Sequence, residues 1–397
     1  MPALNTREMA PTALKFYTHR GVDLLISLLQ LQLPQSGTLL RRLQHDIVRK
    51  SPTACYLATF PPTDEQASAS HPASPWLVAY VDLYAWPGTQ VWLYSSLQAE
   101  SSTVPGHKST FNSSDAHLTA VRSQLLSLIT YCFDKLLPRF ISSPEAQGTS
   151  ANGGHGAHPN RPPSRPLTTI LLGSVHSGVV KLLEESIGLM SRPRFHIPQP
   201  DYCVKYSFAR SVYDPVSNAS SSLLPPGYRF CTRDGVEGFQ SYHYDLIKSR
   251  SFIVRQRKAL EDMASVVMYH DGTGNIKENG RDWEHGAQEM PVGWAFLGYD
   301  ASLVSLHVEQ EHRGRGLAAA LAKSVMRRGM LDNRQFFFGK GDGEERWAFA
   351  DVMSYNDTSH RVMKKMGGES VCTVSWVSIE PCTDEHRIGD MAKGIQC

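Results

Sequence analysis

The segment SLHVEQEHRGRGLAAALAKSVMRR spans Ser305–Arg328. Leu303, Val304, Leu306 and Val308 form a short apolar run of strand character, and Glu309, Gln310, Glu311 and His312 make a polar elbow. Arg313-Gly314-Arg315-Gly316 then opens into LAAALAKSVMRR, which is rich in helix formers. This order predicts a strand that feeds a helix through a glycine-rich turn. Such a turn suits an anion: the first turn of a helix leaves N–H groups without partners and carries the positive end of the dipole, so a phosphate there is hydrogen-bonded and electrostatically favoured. Gly314 and Gly316 lack a Cβ, which permits unusual φ/ψ values and close approach of a pyrophosphate. Arg313 and Arg315 add charge, and Ala318, Ala319 and Ala320 keep the helix start uncrowded.

Outward from this segment the signals keep their order. Ala350–Met353 reads as a strand and is followed by Tyr355–Gly368, YNDTSHRVMKKMGG; upstream, PVGWAFL (Pro291–Leu297) reads as the preceding strand and Ser265–Tyr269 as its hairpin partner. The hexapeptide Arg313–Ala318 matches the pattern R/Q-x-x-G-x-G/A, and Tyr355–Gly368 is similar to N-x-x-A-x-x-L-Y-x-K-x-G-F. With these two motifs the stretch from about Tyr228 to Glu380 resembles the GNAT N-acetyltransferase superfamily.

The resemblance implies an α/β (α+β) fold of GNAT type, a mixed central sheet flanked by helices. It implies acetyl-CoA, or another acyl-CoA, as co-substrate, and no metal. The cofactor-binding residues would be Arg313, Gly314, Arg315, Gly316, Leu317 and Ala318 on the pyrophosphate, and Leu306, His307 and Val308 as main-chain contacts to the acyl arm. Asn356 and Ser359 would face that arm between two splayed strands. A domain ahead of the signature domain, together with the ending VSWVSIEP, resembles the glycine N-acyltransferase-like branch.

Composition agrees with an enzyme of more than one domain. The chain has 397 residues, 41% hydrophobic and 20% charged, enough to bury substantial cores. A net charge of +2 and only short Lys/Arg pairs, such as Arg41-Arg42 and Lys364-Lys365, argue against nucleic acid as a partner. The seven cysteines are scattered without a C-x-x-C pair, which disfavours a disulfide framework or a structural zinc and points to a reducing compartment. No stretch approaches the apolar length of a membrane span, so no membrane partner is expected. The expected location is cytoplasmic. The opening MPALNTREMAPTALKFYTHR shows no secretory signal and is compatible with a mitochondrial presequence.

Read in order, residues 1–210 form an α/β domain that is either a degenerate GNAT-like half or an acceptor-binding cap. Val22–Leu33 and Ser36–Arg49 read as helices, and Ala54–Phe60, Trp76–Leu83 and Gln90–Tyr94 as strands, the last two joined by a hairpin break at Trp86–Thr89. Ala116–Leu137 reads as a buried helix. Ile141–Pro166 is dense in Ser, Gly, Pro and Ala and reads as a disordered loop; its His155 and His158 belong to a polar tract rather than a metal site. Leu167–Leu172 reads as a buried strand, and Ser174 and His176 after it as a turn residue and a helix cap rather than a nucleophile and its base. Asp201–Phe208 is a further strand, 211–227 a linker, 228–382 the GNAT domain and 383–397 a tail.

Acyl transfer from a thioester to an amine needs a base for the ammonium, polarisation of the carbonyl and a proton for the thiolate. His307 titrates near neutrality and Glu309 is a carboxylate at the elbow, so these two are the candidate catalytic residues, while Glu311 and His312 read as elbow surface. Two positions depart from the family. The tyrosine that would protonate the thiolate falls at Met363, which has no proton to donate, leaving water, Ser359 or Tyr355. The acid expected early in the core strand of the glycine N-acyltransferase branch falls near Ser302. The expected activity is therefore N-acyl transfer from acyl-CoA to a primary amine of a small molecule, directly in a ternary complex. The alternatives are a protein lysine or N-terminal acetyltransferase, and a catalytically weak CoA-binding pseudoenzyme.

Overall fold

The structure is a computed structural model that describes residues 16–62, 72–102, 110–151, 165–190, 192–214, 224–273, 288–331, 335–339 and 345–382. His155 and His158, residues 215–223 of the expected linker, the tail from 383 and the start through 15 lie outside the described residues. No described helix is long and apolar enough to cross a membrane.

In the first half the elements are β1 (Tyr17–His19), α1 (Asp23–Gln30), α2 (Gly37–Val48), β2 (Cys55–Ala58), β3 (Leu77–Val81), β4 (Val91–Ser95), α3 (Asp115–Tyr131), α4 (Pro144–Ala151), β5 (Ile170–His176), α5 (Ser177–Gly188) and β6 (Tyr202–Phe208). The second half supplies β7 (Tyr228–Arg229), α6 (Tyr244–Arg250), α7 (Arg257–Asp262), β8 (Ala264–His270), β9 (Gly293–Leu297), β10 (Leu303–Val308), α8 (Leu317–Leu331), β11 (Ala348–Met353), α9 (Asp357–Lys365) and β12 (Glu369–Pro381).

Period-two alternation sorts the strands between two helical layers. On β8, Val266 and Met268 join Leu317, Leu321 and Val325 of α8, whereas Val267 and Tyr269 join Ile247 of α6 and Leu260 of α7. Leu317, Leu321 and Val325 recur every fourth residue and form the inward stripe of α8. Each such side chain, fully buried, contributes about 1.5–3 kcal/mol. The first half is layered alike: Leu77 and Ala79 of β3 meet α3 and α5, and Val78 and Tyr80 meet α1 and α2.

The halves share one topology, which gives the chain a GNAT fold preceded by a second GNAT-like half. β1–β4 form an antiparallel meander and β5 joins β4 in parallel at Val91↔Leu172. Likewise β7–β10 form an antiparallel meander, and β11 runs parallel to β10 with a single bridge at Ser302↔Phe349. Each half then borrows its next strand. β12 from the second half pairs with β5, β6 from the first half pairs with β11, and β12 and β6 pair with each other. One large sheet of order β1-β2-β3-β4-β5-β12-β6-β11 results, so hydrogen bonding runs straight across the sequence position 210.

Two local expectations change. Within 141–166, Pro144–Ala151 is helical, and Ala146, 1% exposed, joins the core of the first half. The composition hides this helix because its inward contact is a small residue. The β3–β4 connection is longer than a tight hairpin: a 3₁₀ turn at Leu83–Ala85, capped by Asp82, precedes Trp86–Thr89.

Candidate active site

β10 carries a bulge. Trp294 opposes His307 and Phe296 opposes Val304, so Ser305 and Leu306 together face Ala295, with Ser305 at φ +51°. Glu309 N–H donates to the Val292 carbonyl at 2.8 Å. By alternation the peptide groups of His307 turn toward β9, and those of Leu306 and Val308 toward the gap with β11. Leu306 and Val308 thus turn their peptide groups to the gap between the strands, whereas those of His307 serve the sheet.

The glycine turn has the geometry that its residues require. Gly314 and Gly316 both adopt φ +80°, in the left-handed region, and a Cβ at either would meet nothing within 4 Å, so the space over the loop is open. Arg313 Nε donates to the Val308 carbonyl at 2.9 Å and ties the loop to the end of β10. α8 begins at Leu317, followed by Ala318. Arg315 Nη1 donates to the Tyr228 hydroxyl at 2.6 Å, and that hydroxyl also meets His312 Nδ1 at 2.8 Å. His312 is therefore not elbow surface: it is 8% exposed, and burial, with His270 and Arg315 nearby, holds its pKa below the ordinary imidazole value. This arrangement can receive a pyrophosphate among first-turn N–H groups and a fixed guanidinium.

Beside the loop, β10 and β11 separate. Phe349 N–H donates to the Ala301 carbonyl at 2.9 Å, and after the Ser302↔Phe349 bridge the described strands share no further ladder pair. Asn356 and Ser359 lie beyond the end of β11, where Asn356 Oδ1 caps α9 by accepting from Ser359 N–H at 3.0 Å. Met363 is 2% exposed and packed in the core, so this position holds no proton donor for the cleft.

On the α6 side the two candidate bases stand together. The His307 ring stacks on Trp294 with centroids 4.6 Å apart, and its Nε2 is 3.6 Å from Glu309 Oε2. Burial lowers the His307 pKa, Arg313 and Arg250 lower it further, and Glu309 opposes them. Nε2 is buried without a hydrogen bond, which leaves this atom unsatisfied. The loop after Arg250 exposes Phe252 and Ile253. Ser302, the serine at the place where the glycine N-acyltransferase branch would have an acid, donates its Oγ–H to Asp300 Oδ2 at 2.6 Å, and burial raises the Asp300 pKa.

Sequence reasoning singled out neither Tyr228 nor Arg250, which lie outside any motif, nor the contact of Lys205 with Asp351, and it took Ser174 for a turn residue, whereas Ser174 lies within β5. His176 is the cap of α5, with Nδ1 accepting from Gly178 N–H at 3.2 Å. Among the described residues every glycine with positive φ lies in the second half, and Phe111 stacks on His176 at 5.3 Å.

Residues 13–206 match the family described as the acyl-CoA N-acyltransferase verG N-terminal domain. No curated protein matches the sequence. Among solved structures, a Drosophila protein is similar at 13% identity over 91% of this chain and 96% of its own, with a TM-score of 0.47. A tandem GNAT protein from the clavulanic acid biosynthesis pathway is similar at 11% identity over 93% and 99%, TM-score 0.39. A GCN5-related N-acetyltransferase from Kribbella flavida is similar at 12% identity over 92% and 98%, TM-score 0.36. The first half is thus matched to an acyl-CoA N-acyltransferase family, and the second carries the bulged strand, the glycine loop and the one-bridge splay that the resemblance to the GNAT N-acetyltransferase superfamily implies.

Proposed function

We propose that the protein transfers an acetyl or other acyl group from acyl-CoA to a primary amine of a small molecule, directly in a ternary complex. The observation that carries this reading is the cradle of Gly314 and Gly316 at the start of α8, beside a strand pair that parts after one bridge. The pyrophosphate rests on 313–318 and the arm enters between β10 and β11. The acyl carbonyl takes main-chain N–H donation near the bulge, at Leu306 or Val308. Glu309, with neutral His307 beside it, takes the proton of the incoming ammonium. The amine nitrogen then bonds to the carbonyl carbon, the C–S bond breaks, and the second proton that the nitrogen sheds on becoming an amide passes through water to the thiolate. Met363 in the core favours a second reading, in which acyl-CoA binds and turnover is absent.

Calorimetric titration with acetyl-CoA, longer acyl-CoAs and free CoA tests the first step, beside a double variant Arg313→Ala, Gly316→Glu. Micromolar binding that disappears in the folded variant supports the cradle; no binding by the unaltered protein overturns the reading. A panel of amines read out by thiol release separates turnover from binding alone.

A further inference from the structure

β5 and β11 are not neighbours, since β12 and β6 lie between them in the sheet. Even so, Ser174 Oγ on β5 donates to Asp351 Oδ2 on β11 at 2.6 Å. Adjacent strands lie about 4.8 Å apart, so three steps across a flat sheet would separate β5 and β11 by about 14 Å. The sheet must therefore curl, and the two strands lean toward each other over β12 and β6. Each is the parallel partner that parts from a meander: β5 from β4, β11 from β10. The positions correspond, for Ser174 is the second residue after Leu172 of the β4 bridge and Asp351 the second after Phe349 of the β10 bridge. The hydrogen bond lies just past the point where each pair lets go.

Its surroundings hold it in place. Lys205 lies opposite Asp351 on β6 and its Nζ donates to Oδ1 at 2.8 Å, with the two side chains 3% and 6% exposed. Gly173 and Ser174 together oppose Trp376 in a second bulge, and Ser174 takes φ +50°, a strained value for a residue with a Cβ. The chain thus bears backbone strain at the residue whose hydroxyl reaches the other half.

We propose that Ser174, Lys205 and Asp351 are positioning residues that set the width of the acyl-CoA cleft: drawing β11 toward β5 keeps it away from β10. The first half thereby acts on the site of the second through two side chains, Ser174 and Lys205. This inference rests on the acyl-CoA reading above. Ser174→Gly is the informative variant, because glycine accepts φ +50° and removes the CH2OH group that reaches Asp351. Two ligands separate cleft from loop: CoA, and adenosine 3′-phosphate 5′-diphosphate, which is its nucleotide end without the pantetheine arm. The expected result is a CoA affinity about tenfold or more weaker, as for loss of a hydrogen bond to a charged group, with nucleotide affinity unchanged and the KM for acyl-CoA raised. Equal weakening of both ligands, or no weakening of CoA, overturns the proposal while leaving the acyl-CoA reading intact. Failure of the unaltered protein to bind either ligand overturns both.

Discussion

Arg250 Nε lies 3.0 and 3.4 Å from the two carboxylate oxygens of Glu309, so the guanidinium addresses the same acid that stands beside His307. The contact is a charge-assisted hydrogen bond that holds the carboxylate in place beside the ring. Glu309→Gln is expected to lower kcat by about 10²-fold or more and to leave CoA affinity within about twofold, since Glu309 is outside the loop. Arg250→Ala should cost much less, because the arginine is half exposed and such pairs are weak in water. Thiol-release kinetics measure both. Retention of full kcat by Glu309→Gln would shift the role of base to His307.

Asn356 separates a structural role from a binding one. Its side chain caps α9, and loss of an N-cap costs about 1 kcal/mol. Asn356→Asp keeps an acceptor and should hold the Tm of the unaltered protein, whereas Asn356→Ala should lower it. Equal CoA affinity in both variants, by calorimetry, would mean that Asn356 serves the helix alone; weaker binding in Asn356→Asp would show that its amide meets the CoA arm.

The turn from β10 to α8 was legible because anion binding needs particular residue types at consecutive positions, and Arg313–Ala318 supplies them in one run. His307 and Glu309 were legible together because alternate strand residues share a face. The strand exchange was not legible: Asp201–Phe208 read as an ordinary strand, Glu369–Pro381 carried only the ending VSWVSIEP, and nothing local to either names its partner. Ser174 and Asp351 are 177 positions apart, and only the curl of the sheet brings them together. Arg250 lies in no motif, and His312 looked like part of a polar elbow, although the Tyr228 hydroxyl meets its ring.

Gly37 shows how closely the halves fit. A Cβ there would come within 2.0 Å of the Phe349 ring, at the foot of the cleft strand β11, and Phe349 is fully buried. Gly37→Ala is expected to destabilise the fold by about 2–3 kcal/mol through overpacking, partly offset by about 1 kcal/mol of helix propensity. Chemical denaturation monitored by fluorescence and by circular dichroism gives the change. A more stable variant would mean that α2 does not seat against β11.

Buried histidines set the acid limit of stability. Burial pushes His176 and His243 down to about 4, and burial with Arg42 and Arg49 pushes His45 down to about 3. In each case the folded value lies below the unfolded one of about 6.5, so the unfolded chain binds more protons as the pH falls. The stability these groups contribute is fully present above about 6.5 and is lost as the pH drops toward the folded values. For His176 the interval from 6.5 to about 4 amounts to about 3 kcal/mol. Asp300, whose carboxyl is raised by burial, works in the opposite sense, because its protonation relieves a cost of folding as the pH falls. Tm should therefore fall steadily from pH 6.5 to 4.5. His176→Asn retains an acceptor for the Gly178 N–H and removes one titrating ring, so its Tm profile should be flatter over that window; a slope equal to that of the unaltered protein would show that His176 does not resist protonation in the folded state.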